Sequence, residues 1–444
     1  MNKDMTKGNP SKILFYFAFP MFFGNMLQQL YNIVDSVIVG NYLGADSLAA
    51  VGASYPITFF LITIANGTGI GCGVVIAQYF GGKRMKEVKI SIYTALIFTL
   101  IFSGILFFLG IIFTDEILNL MNTPENIFSD SSDYMRIYFW GVVFMFIYNI
   151  GSSSFNAFGN SKIPLEFLIV STFFNVVLDI VFIVKFNLGV KGAAYATFIS
   201  QAFSSILCIC FLFKSLKELK SEPIEKIFDV NILKKISKIA VPSILQQSIV
   251  SVGNLFVQAL VNSFGSIVIA GYAAAAKIDS IIILPMANMS NAVSTFTSQN
   301  IGGRKVERVS KGYKSGLIMI GIFCVLVGIL IFLFGHQIVG VFVDSSFNSD
   351  VICVGTEYLR TVSSFYFFMG LMVTTNGVLR GSGDMKYFLA STISNLSTRV
   401  CFAYILAFII GQSAIWWAVP LGWLCASIIS VMRYKSGKWK NQCI

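Results

Sequence analysis

Residues 13–40 read ILFYFAFPMFFGNMLQQLYNIVDSVIVG, an apolar run whose one formal charge is Asp35. A run of this kind outlasts the roughly 20 residues that an α-helix needs to cross a bilayer, so it predicts a transmembrane span. Working outward, runs of the same character start near residues 13, 50, 90, 134, 163, 192, 239, 268, 315, 356, 387 and 413. The expected fold class is therefore an all-α polytopic membrane protein with twelve transmembrane helices. Composition agrees: 56% of the 444 residues are hydrophobic and 12% are charged, with a mean hydropathy of +0.76. A soluble two-domain enzyme is excluded on that balance.

The charges lie between the spans. If the chain starts in the cytoplasm, all but six of the 32 Lys and Arg residues fall in cytoplasmic segments; the exceptions are Arg136, Lys185, Lys191, Lys277, Arg360 and Arg399. Asp115, Glu116, Glu125, Asp130 and Asp133 share one opposite loop. The positive-inside rule thus predicts both termini in the cytoplasm, with the chain in the plasma membrane. The net charge of +11 is accounted for by loop lysines at anionic lipid headgroups, so no nucleic-acid partner is expected. The apolar run after the polar stretch Met1 to Ser11 outlasts a signal-peptide core, has no small-x-small cleavage site, and is expected to remain as the first span. Eight cysteines, Cys72, Cys208, Cys210, Cys324, Cys353, Cys401, Cys425 and Cys443, form no Cys-x-x-Cys pair and read as small buried hydrophobes. His336 is the single histidine and reads as an interfacial residue at the outer end of the ninth span. No resident metal or cofactor is expected.

The two halves repeat. Pro20 meets Pro242 and Asn32 meets Asn254 at an offset of 222; Gly81-Gly82-Lys83-Arg84 falls on Gly302-Gly303-Arg304-Lys305 at 221; Ser171-Thr172 with Asn175 falls on Ser391-Thr392 with Asn395 at 220. The spans therefore group into two pseudo-symmetric six-helix bundles, residues 1–213 and 238–444, joined by a cytoplasmic linker, 214–237, that carries Lys214, Lys217, Lys220 and Lys226. An even number of helices per repeat gives both halves the same orientation. Such a pair of bundles is a transporter plan, with a substrate cavity expected between them near the midplane.

Function is expected where the halves differ. Asp35 aligns with Val257, and Asp179 in the fifth span aligns with Arg399. Both acids sit deep in apolar helices, where a charge costs several kcal/mol. Asn175 and Asp179 share a helix face, as do Ala193, Thr197 and Gln201 on the sixth span and Gln28, Tyr31 and Asp35 on the first. Two carboxylates, an amide, a hydroxyl and a backbone carbonyl suit Na⁺, or equally a proton held between two acids. The alternatives are that the acids cross-link helices by hydrogen bonds or neutralise a basic residue. Arg399, whose partner the sequence leaves open, joins Gln28, Tyr31, Gln201, Gln247 and Asn254 as substrate-cavity candidates. Lys277 and Asp279 read as a structural ion pair, with a gate as the alternative. Gly67-x-Gly69-x-Gly71-x-Gly73 lies inside the second span and reads as a close helix contact, not a phosphate loop. With no Gly-x-x-x-x-Gly-Lys-Ser/Thr motif, direct drive by ATP is not supported.

Across essentially its whole length the chain resembles the multidrug and toxic compound extrusion (MATE) transporters, in particular their DinF-like bacterial branch. The resemblance rests on Gln28-x-x-Tyr31-x-x-x-Asp35 followed by Gly40 and Gly44, Asn175-x-x-x-Asp179, Gly189-Val190-x-Gly192-Ala193-Ala194-x-Ala196-Thr197, and Gln299-Asn300-x-Gly302. It implies alternating-access antiport, in which H⁺ or Na⁺ enters and amphipathic, often cationic, organic compounds and drugs leave. It also implies a coupling-cation site at Asp35, Asn175, Asp179, the Ala193 carbonyl and Thr197, with Na⁺ possible there, and a first helix able to bend at Pro20. A monomer is expected, and an enzyme is not. Two departures stand out. Ile180 follows the fifth-span aspartate where the family commonly has proline, so the local kink is expected to be missing. Gln246 and Gln247 stand near the place of another branch's seventh-span glutamate, and the tenth span has no acid, so no such cation site is expected in the second bundle. The alternative function is a flippase for lipid-linked sugars, whose pyrophosphate would want several central cations; the mid-span cations are Arg399 and Lys277, against two acids.

Overall fold

The computed structural model describes residues 4–342 and 349–441. It is all-helical: α1 (Pro10–Leu43), α2 (Ala45–Gly81), α3 (Met85–Ile112), α4 (Thr114–Leu120), α5 (Glu125–Ala157), α6 (Lys162–Asp179), α7 (Val190–Glu218), α8 (Val230–Asn262), α9 (Ser266–Gly302), α10 (Val306–Gly340), α11 (Ser349–Ser363), α12 (Tyr366–Ser382), α13 (Met385–Ile410) and α14 (Ser413–Lys435). Among the described residues, eleven helical stretches are long and apolar enough to cross a membrane, and the α11–α12 pair, bent by 53°, makes a twelfth. Hydrocarbon offers the backbone no hydrogen-bond partners, so continuous helices are what such a sequence forms.

The helices start earlier than the apolar runs. α5, α8 and α10 begin at Glu125, Val230 and Val306, against expected starts near 134, 239 and 315. At about 1.5 Å per residue, the 37 residues of α2 and of α9 far exceed the bilayer's roughly 30 Å apolar thickness. Polar first turns, such as those with Asp46 in α2, Glu125 in α5 and Glu307 in α10, precede the apolar runs, where an apolarity criterion does not see them. α4 is a short helix in the acidic loop. There Arg136 pairs with Asp115 at 2.6 Å and Lys191 with Asp133 at 3.0 Å, so two of the basic residues on the acid-bearing side are neutralised locally.

The chain forms two compact units, one mainly Pro20–Ile244 and the other Met5–Phe19 with Leu245–Ile444. The divide falls inside α1 and α8, at Pro20 and just after Pro242. In the second unit the start of the chain is strapped to the α9–α10 turn: the Met5 amide donates to Gln299 Oε1 at 2.9 Å, Lys305 Nζ to the Thr6 carbonyl at 2.8 Å, and Arg308 Nη2 to the Lys7 carbonyl at 2.8 Å. The Gln299-Asn300 pair is thus a strap anchor. In the first unit the segment before α8 is held in a comparable way, with Lys86 on Glu225 at 2.8 Å, the Asp229 amide on Thr94 Oγ1 at 3.0 Å and Lys235 on the Tyr79 hydroxyl at 3.1 Å. A half-buried pair, Arg433 Nε to Asp384 Oδ2 at 2.5 Å, fixes the α12–α13 turn to α14.

The glycine series in α2 is a contact between helices. A Cβ on Gly71 would lie 2.7 Å from Ala240 Cβ and 2.8 Å from the Ile236 carbonyl of α8, and one on Gly69 would lie 2.7 Å from Ser153 Oγ of α5. The alternating glycines serve two neighbours. Of the cysteines, Cys72, Cys208 and Cys324 are buried as expected, but Cys210, Cys353 and Cys401 are exposed on the helix surface and Cys425 is half-buried. A thiol is as compatible with lipid as with a protein core, so hydropathy does not separate the two. Cys443 lies outside the described residues. His336 is exposed near the end of α10.

Gly71→Leu is expected to abolish recovery of monodisperse protein in size-exclusion chromatography. Gly104→Leu, at a position with nothing within 4 Å, should elute and melt like wild type.

Candidate functional site

Asn175 and Asp179 occupy the last turn of α6, and both are buried. Immediately after Asp179 the helix widens into a π-helical stretch, Ile180–Lys185, in which the Phe186 amide reaches back to the Val181 carbonyl at 3.0 Å and the Leu188 amide to the Phe182 carbonyl at 3.0 Å. No proline kink is expected here, and Lys162–Lys185 runs on as one helical span; the widened turns after Asp179 are what the sequence did not show. Widened turns change helix register without proline and frequently sit at functional sites. The start of α7 approaches this stretch through Gly192, where a Cβ would lie 3.2 Å from Ile183 Cγ1 and Phe182 Cβ. That approach leaves Ala193 and Thr197 buried on the following turns of α7.

α1 completes the site. The Tyr31 hydroxyl and Thr197 Oγ1 share a hydrogen bond of 3.1 Å, and one turn further along α1 the Asp35 carboxyl comes within hydrogen-bonding reach of the Asp179 carboxyl. Yet neither acid has a donor. Asp35 Oδ1, both oxygens of Asp179 and both polar atoms of Asn175 are buried without a partner. Two facing carboxylates with empty lone pairs in a helix interior cost several kcal/mol each unless a proton or cation lies between them. The donor set is two carboxylates and an amide, with a hydroxyl alongside. Among the described residues no group of three His, Cys, Asp or Glu side chains forms a transition-metal site.

Two residues of this site escape sequence reasoning. Tyr134 and Tyr138, one turn apart on α5, stack at 6.3 Å; Tyr134 lies within electrostatic range of Asp35 and Asp179, and Tyr138 within that of Tyr31. Their i, i+4 spacing is visible in the sequence, but nothing there says which helix face meets the acids. Gln29, Asn32, Ser36, Gly40 and Asn41 line a second, open groove on α1 with Leu48 of α2, again at helical spacing. Gln28 is exposed, and Gln201 lies at Gly141 of α5, where a Cβ would be 3.1 Å from its Oε1.

The other expected residues belong to the second unit. Arg399 Nη1 donates to Asn254 Oδ1 at 3.3 Å, which brings two of them together. Gln247, two turns before Asn254 on α8, accepts at its backbone carbonyl from Ser251 Oγ at 3.0 Å. Asp279 turns away from Lys277: it accepts from the Tyr366 hydroxyl at 2.6 Å and the Tyr358 hydroxyl at 3.3 Å, while Lys277 is exposed. The expected ion pair between them is not formed, because residues two apart on a helix point to different faces.

The MatE family model matches residues 20–181 and again residues 242–405. The chain belongs to the MatE family. The double match starts at Pro20 and Pro242, the positions that begin the internal repeat. The MatE chain is 31% identical to the probable multidrug resistance protein YpnP of Bacillus subtilis, over 98% of this chain and 97% of that protein. It is 24% identical to the probable multidrug resistance protein NorM of Thermotoga maritima, over 98% and 94%. A crystal structure of a MATE protein in complex with MaL6 superposes with a TM-score of 0.90 at 26% identity, covering 99% of both chains. An outward-facing multidrug resistance MATE transporter of the MOP superfamily superposes with the same score at 25% identity, again covering 99% of both.

Tyr31→Phe and Thr197→Val remove the two ends of one hydrogen bond. A double-mutant cycle on thermal stability is expected to give a coupling of about 0.6 kcal/mol, the usual size for a polar contact between transmembrane helices; additivity would mean that the contact does not hold α1 to α7.

Proposed function

We propose that this MatE-family membrane protein is a secondary active exporter of amphipathic, often cationic, organic compounds, and that it works by alternating access in antiport with H⁺ or Na⁺. The coupling ion is received at Asp35, Asn175 and Asp179, with the Ala193 carbonyl and Thr197 completing the set. The observation that carries this is the orphaned carboxyl pair: Asp35 Oδ1, both Asp179 oxygens and Asn175 Oδ1 are buried without a partner, and a monovalent cation, or a proton shared between the carboxyls, is what such oxygens call for. The names of the relatives, probable multidrug resistance proteins and the multidrug export protein MepA of Staphylococcus aureus, support small-molecule export. The exposed groove on α1, where Gln29, Asn32, Ser36 and Asn41 stand beside Ile33, Val37 and Leu48, supports it as well, since a mainly apolar lining with a few polar groups suits an amphipathic cargo.

The ion acts through helix position. Without it, the two carboxylates repel and push Asp35 on α1 away from Asp179 on α6. With a cation or proton between them, the repulsion becomes attraction and α1 is drawn in. Tyr31 and Thr197 guide that movement from one turn away. Pro20 interrupts the hydrogen-bond ladder of α1, because proline has no N–H to donate, and so gives the helix a point of compliance. A cationic substrate and the coupling ion then favour different positions of the same helix, which is the differential affinity that exchange requires. The protein is taken to act as a monomer in the plasma membrane with both termini in the cytoplasm.

In proteoliposomes, efflux of a fluorescent organic cation should follow an imposed proton or sodium gradient, and Asp179→Asn should reduce it to the level of protein-free liposomes while leaving elution and yield unchanged. Undiminished gradient-driven efflux in the variant would remove Asp179 from the mechanism, and absence of efflux in wild type under either gradient would overturn the antiport.

A further inference from the structure

The second unit carries a buried carboxyl, Asp279, and a partly buried guanidinium, Arg399, that the exporter mechanism does not use. The repeat offset of 220 that places Asn175 on Asn395 also places Asp179 on Arg399 and Tyr138 on Tyr358. At the position of the first unit's acid there is thus a fixed positive charge, with the amide and the tyrosine retained. The counter-charge comes from a different helix: Asp279 of α9, whose place in the first half is taken by Thr58 at an offset of 221.

The surroundings of Asp279 are specific. It is 8% exposed. The Tyr366 hydroxyl donates to one carboxylate oxygen at 2.6 Å and the Tyr358 hydroxyl to the other at 3.3 Å, the two tyrosines standing on either side of the α11–α12 break. Both carboxylate oxygens are thus engaged by hydroxyl donors. Arg399 of α13 makes no hydrogen bond to Asp279 but lies within electrostatic range of it and of Tyr358. The guanidinium is sparsely held: one bond of 3.3 Å to Asn254, a buried Nε without an acceptor, and, one turn earlier on α13, a buried Asn395 Oδ1 without a donor. The other titratable groups around the centre are Tyr272, whose ring meets Tyr358 at 5.4 Å, and Cys324, within electrostatic range of Tyr366. Neither brings a positive charge at neutral pH, and Lys277 on the same helix is exposed.

We infer that Arg399 is a tethered cation, held in the second unit at the repeat position where the first unit presents Asp179 to an exchangeable H⁺ or Na⁺, and that Asp279 with Tyr358 and Tyr366 is a latent cation site which the guanidinium keeps out of exchange. A guanidinium stays protonated throughout the physiological range, so a carboxylate balanced by it has no need of an ion from solution. Take the guanidinium away and Asp279 becomes a buried carboxylate with two hydroxyls beside it, which must recruit a proton or a monovalent cation. Asymmetry between the halves would then confine coupling to one unit by filling the other with a side chain. The inference rests on the exchangeable-cation reading of Asp35 and Asp179.

The test is thermal melting of the purified full-length protein in detergent, across pH and with NaCl against choline chloride. Asp179→Asn is expected to abolish the ion-dependent rise in melting temperature seen in wild type. On that background, Arg399→Met should restore a saturable rise of several degrees with Na⁺ or with acidification, Arg399→Lys should not, and addition of Asp279→Asn should remove it again. A folded Asp179→Asn/Arg399→Met protein that is insensitive to both ions overturns the inference, and so does one whose response survives Asp279→Asn, since Arg399 would then serve another group, such as an anionic part of the cargo. If Arg399→Met yields no folded protein, recovery in Arg399→Met/Asp279→Asn supports the pairing, and equal failure of the double variant overturns it. If Asp179→Asn keeps the wild-type response, the cation reading of the first unit fails, while the Arg399–Asp279 pairing is still decided by its own double-mutant cycle.

Discussion

Hydrocarbon cannot hydrogen-bond, and nearly every feature of this chain follows from how its polar groups cope with that. Backbone groups are satisfied within long helices. Serine and threonine hydroxyls turn back onto carbonyls of their own helix, as Thr68 does onto Ile64 at 2.8 Å and Ser154 onto Ile150 at 2.7 Å. Loop charges find partners at the helix ends. Among the described residues half of the buried side-chain atoms that remain unsatisfied are gathered in two groups, Asp35, Asn175 and Asp179 in one unit and Asn395 and Arg399 in the other, while the rest, such as Thr99 Oγ1 and Trp416 Nε1, are scattered singly. Polar groups left incomplete in such a medium mark the places where the protein has to be completed by something else.

Helix packing is set by the same medium. With no hydrophobic gain from bringing helices together in lipid, close approach depends on small residues, and α2 meets α5 and α8 through Gly69 and Gly71 without a side chain between the backbones. Rigid contacts of this kind sit toward the α2 end that carries the Gly81-Gly82 turn, where the segment leading into α8 is also tied down. The site residues lie instead on α1, the end of α6 and the start of α7, beside a π-helical stretch and a helix proline. The well-packed contacts and the candidate site are thus carried mainly by different helices of the first unit.

The two halves have diverged in charge while keeping their fold. Prolines, the Gly-Gly turns and the Ser-Thr-x-x-Asn segment persist at matching positions, which are the positions that turns and helix contacts constrain. Asp179 and Arg399 differ because no packing requirement fixes the sign of a buried charge; only its compensation is required. On the proposed mechanism the first half leaves that compensation to an ion, and on the inference drawn for the second half Asp279 of α9 supplies it.

The number of spans, the all-helical class, the repeat and the family were legible in the sequence, because each rests on hydropathy, periodicity or spacing along one chain. The two mid-span acids that the structure brings together, Asp35 and Asp179, also stood out, since a carboxylate in an apolar run is visible without any structure. Helix starts were misplaced by up to three turns, because apolarity marks the part inside the bilayer and not the part that is helical. What the sequence could not supply was which faces of different helices meet. Nothing in it joins Tyr134 to Asp35 or Tyr138 to Tyr31, turns Asp279 from Lys277 toward Tyr358 and Tyr366, sets Gln299 against the start of the chain, or widens the helix at Ile180, where no proline stands. Those are contacts between residues far apart in the chain, or adjustments forced by a neighbouring helix, and packing decides them.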